Sequence, residues 1–225
     1  MALTPERVET VTFDSFSTLV DVDSTATVVE EYVENPVSFA REWHSRAAYY
    51  GTVANAIDAY ETYYDLHVDA LEHLLAVRGV SVSDDELDAM TSVYNEMEPF
   101  DDVRDGMERL RDAGYDIGIV SNGDPPMLES LLRVTGVGDL VSATVSADEI
   151  ELHKPARELY EHAADRLDVE PAAVAHVSNG HVDVQGAMHA GMQGVRLDRQ
   201  GVPPDPFGPD PDLTVESMDG LVVHL

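Results

Sequence analysis

The second half of the chain repeats one local pattern, a short apolar run that ends in small polar residues and is followed by an amphipathic segment. The apolar runs are typical of buried strands, and the apolar spacing of the segments between them is typical of helices. Strands that alternate with helices predict an α/β fold built on a doubly wound parallel sheet. The predicted strands lie at 115–122, 140–145, 174–178, 194–197 and the start of 213–223, and the predicted helices lie at 102–113, 127–135, 155–167 and 182–190.

The first half of the chain interrupts this alternation. Residues 8–14 predict one more buried strand, and residues 24–97 then place apolar and aromatic residues at helical spacing almost throughout. Breaks in this helical segment are expected at 35–36, at Gly51 and at 78–79. We therefore predict an α/β core domain made of residues 1–22 and 98–225, with an inserted all-α cap domain at residues 23–97.

The charge of the chain narrows the set of partners. Its 225 residues include 44 Asp and Glu against 13 Lys and Arg, which gives a formal net charge of −31. A surface of this sign repels nucleic acids and anionic lipids, so neither is an expected partner. The acidic residues are spread along the sequence, a composition similar to that of proteins from salt-loving microbes, where salt screens the repulsion. We therefore expect a halophilic source.

Two further features limit the chemistry and the location. The chain has no cysteine, which excludes disulfides, cysteine nucleophiles and zinc–thiolate sites. No apolar run reaches the roughly 20 residues of a membrane-spanning helix. The first ten residues lack the basic region followed by an apolar one that marks a signal peptide. The expected location is the cytoplasm, without a membrane partner.

Polar residues follow the predicted strands at their carboxyl ends, where ligands bind in open α/β sheets. The first predicted strand ends at Asp14, and Lys154 follows a later strand after a short loop. Lys154 is the only lysine, because the other twelve basic residues are arginine. Its retention indicates a position that needs a compact ammonium, with chance retention as the alternative. The other strand-end candidates, for which turn formation, helix capping and core packing are the alternatives, are Ser15, Phe16, Thr18, Ser121, Asn122, Ser178, Asn179 and Asp183.

Four segments in this order, FDSFSTLVDV, IVSNG, HKP and HVSNGHVD, resemble the motifs of the haloacid dehalogenase superfamily. That resemblance implies a parallel sheet with a helical cap inserted after the first motif. Phosphatases of the superfamily carry a general-acid aspartate where this chain has Phe16, and an acidic metal ligand where it has Asn179. The aromatic at Phe16 is similar to the type II 2-haloacid dehalogenase branch, and both absences weaken a magnesium site, so the resemblance implies an enzyme without a metal cofactor.

The resemblance also implies a reaction, the hydrolysis of small (S)-2-haloacids to 2-hydroxy acids. Asp14 would attack the halogen-bearing carbon and form an ester, with Lys154 beside it, and Asp183 would position or activate the water that opens the ester. Thr18 and Ser178 would orient the Asp14 carboxylate. The residues implied in substrate binding are Ser121 with the backbone amides of Ser15 and Phe16 for the carboxylate, and Asn122 for the halide.

The sequence departs from the family around the halide. Matching Trp43 to the family's tryptophan puts His44 where that branch has a halide-accepting arginine, and Arg41 lies on nearly the same helical face as a substitute. The family's fourth motif has serine, serine and asparagine where this chain has Ser178-Asn179-Gly180, so the asparagine has moved by one position or its role is lost. Tyr63 falls near a family pocket aromatic. These departures bear on the substrate more than on the nucleophile.

Two alternatives stay open from the sequence. A Mg²⁺-dependent phosphatase would rebuild its metal site from Asp14 and Asp183 with a carboxylate drawn from Asp124, Asp148 or Glu149. A catalytically inactive homologue would act as a binding module instead. The family also implies a homodimer.

Overall fold

The strands and helices of the computed structural model, which describes residues 2–225, follow the predicted alternation. Its elements in chain order are β1 (Thr10–Phe13), β2 (Val20–Asp21), α1 (Pro36–Ile57), α2 (Tyr63–Val77), α3 (Asp84–Thr91), β3 (Glu98–Pro99), α4 (Val103–Asp112), β4 (Asp116–Ser121), α5 (Pro125–Thr135), β5 (Ala143–Ser146), α6 (Arg157–Arg166), β6 (Val174–Ser178), α7 (His181–His189), β7 (Gln193–Leu197), β8 (Leu213–Val215) and α8 (Met218–His224). Among residues 2–225, no helix is both long and apolar enough to cross a bilayer.

Six of the strands form one sheet in the order β5-β4-β1-β6-β7-β8, and every neighbouring pair is parallel. The chain builds outward from β1 through β4 and β5, and then returns to the other side of β1 with β6. The winding direction therefore reverses at β1, which is the place where open α/β sheets bind ligands. Every residue of β1 and β6 is buried, as expected for a sheet covered by helices on both faces. The predicted doubly wound α/β fold is confirmed.

Helices α1–α3 lie between two short strands, β2 and β3, that pair in antiparallel orientation. The sequence analysis missed this pair, because two residues are too few to show a period. The predicted break at Gly51 is also wrong, since α1 continues through it. A Cβ at Gly51 would lie 3.0 Å from Cγ of His153, so the glycine permits close packing rather than ending the helix.

Several other boundaries differ from the prediction. Residues 22–28 form a 3₁₀ helix, and the first α-helix begins only at Pro36. Proline lacks an N–H, which costs nothing at the start of a helix because the first N–H groups there have no acceptor within the helix. The strand predicted from residue 140 begins at Ala143, because residues 137–140 form a turn closed by a hydrogen bond from Leu140 N to the carbonyl of Val137 (2.9 Å).

The helices α1 and α2 pack against each other, and α1 also packs against the 3₁₀ helix at residues 22–28. The indole of Trp43 on α1 is fully buried and donates a hydrogen bond to the carbonyl of His67 on α2 (2.7 Å). The ring of Trp43 also meets Tyr94 edge to face at 5.0 Å. The apolar core runs without a break from these rings through Phe16 to Phe13 in β1. Helices α1 and α2 are thereby held over the end of the central strand.

Candidate active site

The carboxyl ends of β1, β4 and β6 meet at one edge of the sheet, because these three strands are neighbours. Asp14 is the first residue after β1, and its N–H donates to the carbonyl of Val177 on β6 (2.9 Å). The sheet therefore fixes the backbone of Asp14. Lys154 comes from the loop after β5, and Asp183 comes from the first turn of α7.

Lys154 lies between two carboxylates. Its Nζ is 2.8 Å from Oδ1 of Asp14 and 2.9 Å from Oδ2 of Asp183, and only 6% of its side chain is exposed. Burial alone would lower the pKa of Lys154, but the charges and hydrogen bonds of the two carboxylates outweigh it and raise that pKa. The ammonium therefore stays charged at neutral pH, and it favours the ionised form of Asp183.

The second oxygen of Asp14 is also held. The hydroxyl of Thr18 donates to Oδ2 of Asp14 (2.8 Å) and accepts the N–H of Asn179 (3.0 Å). Thr18 is fully buried, so its hydroxyl cannot turn toward solvent. Each carboxylate oxygen of Asp14 thus has one fixed partner, which restricts the rotation of the group.

Asp183 has two partners that the sequence analysis missed. Its Oδ1 accepts the hydroxyl of Tyr160 (2.6 Å) and lies 3.2 Å from Nε2 of His176, whose Nδ1 lies 2.9 Å from the hydroxyl of Thr12. His176 points inward from a strand that reads as core, and Tyr160 lies in an ordinary helical pattern, so neither gave a local signal.

These partners determine the acidity of Asp183. Burial would raise its pKa, but the Lys154 ammonium, His176 and Tyr160 together hold the pKa of Asp183 well below its ordinary value. The carboxylate is therefore ionised and weakly basic. It can accept a hydrogen bond from water, but it retains a proton poorly.

A cavity of about 600 Å³ opens above these groups, between the sheet edge and α1. The predicted site residues that line it are Asp14, Phe16, Arg41, His44, Tyr63, Asn122, Lys154, Ser178, Asn179 and Asp183. Ser15, Thr18 and Ser121 are fully buried beneath its floor. The structure therefore brings ten of the thirteen predicted residues to one cavity and places the other three under it.

Three polar residues have partners other than those the prediction gave them. The hydroxyls of Ser121 and Ser15 are 2.6 Å apart and bond to each other under the floor, so neither faces a substrate carboxylate. The side chain of Asn122 accepts the backbone N–H of Lys154 (2.7 Å), and the hydroxyl of Ser178 accepts the N–H of Gly180 (3.0 Å). Each of these residues shapes a loop around Asp14.

The two candidates for a halide-accepting cation also differ from expectation. The guanidinium of Arg41 forms a two-point ion pair with Asp23, with Nε–Oδ1 at 2.7 Å and Nη2–Oδ2 at 2.5 Å. Burial lowers the pKa of His44 to about 4, although the charge of Asp14 opposes the shift. At neutral pH the cavity is therefore lined by the neutral imidazole of His44 and by the guanidinium of Arg41, which is already paired with Asp23.

Known proteins similar to this chain identify its family. The family model for haloacid dehalogenase-like hydrolases matches residues 8–191, a stretch that includes Asp14, Lys154 and Asp183. The chain belongs to this family. It is therefore a hydrolase, and the resemblance seen in its four motifs is confirmed.

The relatives of this haloacid dehalogenase-like hydrolase cover nearly the whole chain. The (S)-2-haloacid dehalogenase 4A of Burkholderia cepacia is 30% identical over 194 residues, which is 86% of this chain and 84% of the relative. A solved dehalogenase structure is 30% identical, with a TM-score of 0.90 over 97% of both chains. A second, solved as a dehalogenase with an intermediate complex, is 29% identical, with a TM-score of 0.90 and the same coverage.

The carboxylates that the phosphatase alternative needs have other partners in this hydrolase. Asp124 accepts the N–H of Met127 at the start of α5 (3.1 Å), and Asp148 accepts the hydroxyl of Tyr60 (3.0 Å). Glu149 pairs with His162 at 2.8 Å and also with Arg166. Within residues 2–225, no group of three or more His, Asp or Glu is arranged to hold a metal ion.

A second buried histidine, His67, lies next to His44 and affects the free energy of unfolding. The rings of His44 and His67 are 5.9 Å apart, and Nδ1 of His67 lies 2.8 Å from the carbonyl of Tyr63. Burial, helped by the neighbouring His44, lowers the pKa of His67 to about 3, although the hydrogen bond with the carbonyl of Tyr63 opposes the shift. Unfolded histidines take up a proton below about pH 6.5, whereas these two folded ones do not until pH 4 or lower.

We predict that acid destabilises the hydrolase through His67. Between pH 6.5 and 3, His67 binds a proton in the unfolded chain but not in the folded one. The free energy of unfolding therefore falls as the pH falls through this window. At pH 5 the loss is about 2 kcal/mol for this residue. In His67→Gln, urea unfolding at pH 7 and pH 5 should show a loss smaller by that amount. His189→Gln, at an exposed position, is the matched control. Equal acid losses in the parent and in His67→Gln would contradict the prediction.

Proposed function

We propose that the chain hydrolyses (S)-2-haloacids to 2-hydroxy acids through an ester on Asp14, without a metal ion. The observation that carries the proposal is the Lys154 ammonium held between Asp14 and Asp183 at the floor of the cavity. Its positive charge lies against the carboxylate that attacks, and it occupies the space between the two carboxylates that a divalent cation would need. The neutral Asn179 beside it adds no further charge for a metal.

The first step is a displacement at the halogen-bearing carbon. An oxygen of Asp14 forms a bond to C2 of the acid while the carbon–halogen bond breaks, and the halide leaves with the bonding electron pair. Thr18 and Lys154 hold the carboxylate in one orientation, which raises the effective concentration of the nucleophile. The leaving halide meets the neutral imidazole of His44 rather than a free cation.

The second step opens the ester. Water attacks the carbonyl carbon of the Asp14 ester, the bond from that carbon to the substrate oxygen breaks, and the 2-hydroxy acid leaves. Asp183 orients the water as a hydrogen-bond acceptor, while Lys154 stabilises the negative charge on the tetrahedral oxygen. The water supplies one proton to the product alcohol and one to the medium, which balances the halide released in the first step.

The relatives support this reaction class. The Burkholderia cepacia relative is an (S)-2-haloacid dehalogenase, and one structural relative was solved with an intermediate complex. In the same proposal, residues 1–22 and 98–225 form the core that carries Asp14, Lys154 and Asp183. Residues 23–97 form the cap that closes the cavity with α1. Two copies of the chain form a homodimer.

The test is halide release from (S)-2-chloropropionate and (S)-2-bromopropionate in a potassium salt of a non-halide anion. One arm contains EDTA, and a parallel arm measures phosphate release from a phosphate ester with added Mg²⁺. Halide release that survives EDTA supports the proposal. Phosphate release that requires Mg²⁺, without halide release, would replace the proposal with the phosphatase. No turnover in a folded protein would favour the binding module.

The halophilic origin is part of the proposal and predicts a salt requirement. A net charge of −31 opposes compaction, and raising the salt from 0.1 M to 1 M shortens the Debye length from about 10 Å to about 3 Å. We expect the midpoint of thermal unfolding to rise by roughly 10 °C in molar KCl, which corresponds to several kcal/mol for a chain of this size. Isosmotic sucrose is the control for water activity. A midpoint that is unchanged or lower in KCl would contradict the prediction.

A further inference from the structure

The cavity above Asp14 is larger than the smallest 2-haloacids require. Its volume is about 600 Å³. A 2-halopropionate has about six heavy atoms and, at the roughly 30 Å³ that one water molecule occupies in the liquid, fills on the order of 200 Å³. Most of the cavity is therefore left for a side chain on the substrate.

One wall of the cavity is a single face of α1. The α1 residues that line it recur at helical spacing and are Arg41, His44, Ser45, Ala48, Tyr49 and Thr52. Residues 41–52 span about 16 Å along the helix axis at 1.5 Å per residue. The cavity is thus an elongated groove beside α1 rather than a round pocket around Asp14.

The polarity of the groove changes along α1. The first part carries Arg41 and His44, whereas the second part carries Ala48, Tyr49 and Thr52, which have no charge. Beside this second part, Gly51 packs directly against His153, the residue before Lys154.

Two apolar residues from outside α1, Pro155 and Val182, also line the cavity, next to the polar His181 and Asp183. The ring of Pro155 packs on α7, since a Cβ at Gly186 would lie 2.8 Å from its Cβ, and Val182 is one turn earlier on that helix. At the mouth, Tyr49 is 57% exposed and Val182 is 56% exposed, so two large apolar side chains face water on either side of the groove.

We propose that the preferred substrates are 2-haloacids with an apolar side chain of several carbons. This inference rests on the proposed dehalogenation at Asp14. The halogen-bearing carbon lies at Asp14, and the tail of the substrate lies in the groove between α1 and α7, against Ala48, Pro155 and Val182. The tail displaces water from these side chains, which supplies binding energy that the shortest acids lack.

The first experiment measures kcat/KM for (S)-2-bromoalkanoates of three to eight carbons. Each methylene buried in the groove should raise kcat/KM by about fourfold, from roughly 0.8 kcal/mol per buried CH₂, until the chain reaches solvent. Binding of propionate, hexanoate and octanoate is measured by calorimetry in parallel and needs no chemistry. We expect the dissociation constant to fall with chain length in the same way.

Substitutions in the groove test where the apolar tail of the substrate binds. Val182→Asp and Ala48→Phe should each flatten the dependence on chain length, the first by adding a charge to the groove and the second by filling it. Val223→Asp, at an exposed valine on α8, is the matched control and should leave the dependence unchanged.

The outcomes separate the two proposals. Halide release that is fastest for bromopropionate, with no gain in alkanoate binding on lengthening, would overturn the inference and leave the dehalogenase intact. No halide release from any acid, with alkanoate binding that still improves with length, would overturn the reaction and leave the groove as an apolar acid-binding site. Neither halide release nor binding that depends on length would overturn both.

Discussion

Asp14→Asn should abolish halide release, with a loss of at least about 10⁴-fold in kcat, because an amide oxygen cannot form the ester. The side chain keeps its size and its hydrogen bond from Thr18. Lys154 keeps its contact with Asp183 (2.9 Å), so the ammonium is not left without a counter-charge. We therefore expect the circular dichroism spectrum and the thermal midpoint of the variant to stay close to those of the parent.

Two measurements make this prediction specific. Asp112→Asn is the matched control, since it makes the same change at an exposed aspartate on α4. In the parent, multiple turnovers in water enriched in oxygen-18 should place the heavy isotope in the Asp14 carboxylate, because water attacks the carbonyl carbon of the ester. Full activity of Asp14→Asn, or label found only in the product, would show that Asp14 is not the nucleophile.

Lys154→Arg should lose roughly 100-fold in kcat although the positive charge is kept, because a displacement of about 1 Å at a reacting group has a cost of this order. The ammonium sits within 2.9 Å of both carboxylates, and its side chain is 6% exposed. The planar guanidinium is longer and donates in a fixed fork, so it cannot take the same position between Asp14 and Asp183 without moving one of them.

The separate effects of Lys154→Arg on kcat and on KM test whether the substitution disturbs the reacting carboxylate. We expect KM to change little, because the lost geometry belongs to the reacting carboxylate and not to the apolar groove. Arg157→Lys, at a half-exposed residue nearby, is the control for exchanging the two basic side chains. An unimpaired Lys154→Arg would show that the compact shape of lysine is not required.

The positions of Asp14 and its partners were predictable because they follow local rules. Asp14 and Ser178 end buried strands, and the alternation of strands and helices brings such ends to one edge of a parallel sheet. Lys154 stood out by composition alone, and the structure places its Nζ between the two predicted carboxylates. The resemblance of the four motifs then implied the order of use that we propose for these residues.

The partners of the remaining polar residues could not be predicted from local sequence. Ser121 has the right type and place for binding a substrate, yet its hydroxyl turns under the floor to Ser15. Arg41 lies on the face of α1 that lines the cavity, yet its guanidinium forms an ion pair with Asp23. His176 reads as a core residue of β6 and supports Asp183 from behind. In each case the outcome depends on which groups compete for a hydrogen bond after folding.

The sequence by itself determined the α/β class, the helical insertion after the first strand, and the identities of Asp14, Lys154 and Asp183. These follow from hydrophobic period, strand-end position and residue type, which are local properties of a chain. Only the tertiary structure decided that His44 is neutral, that Arg41 is already paired, and that the cavity is an elongated groove. Burial and the distances between distant segments set these features, and neither quantity exists until the chain has folded.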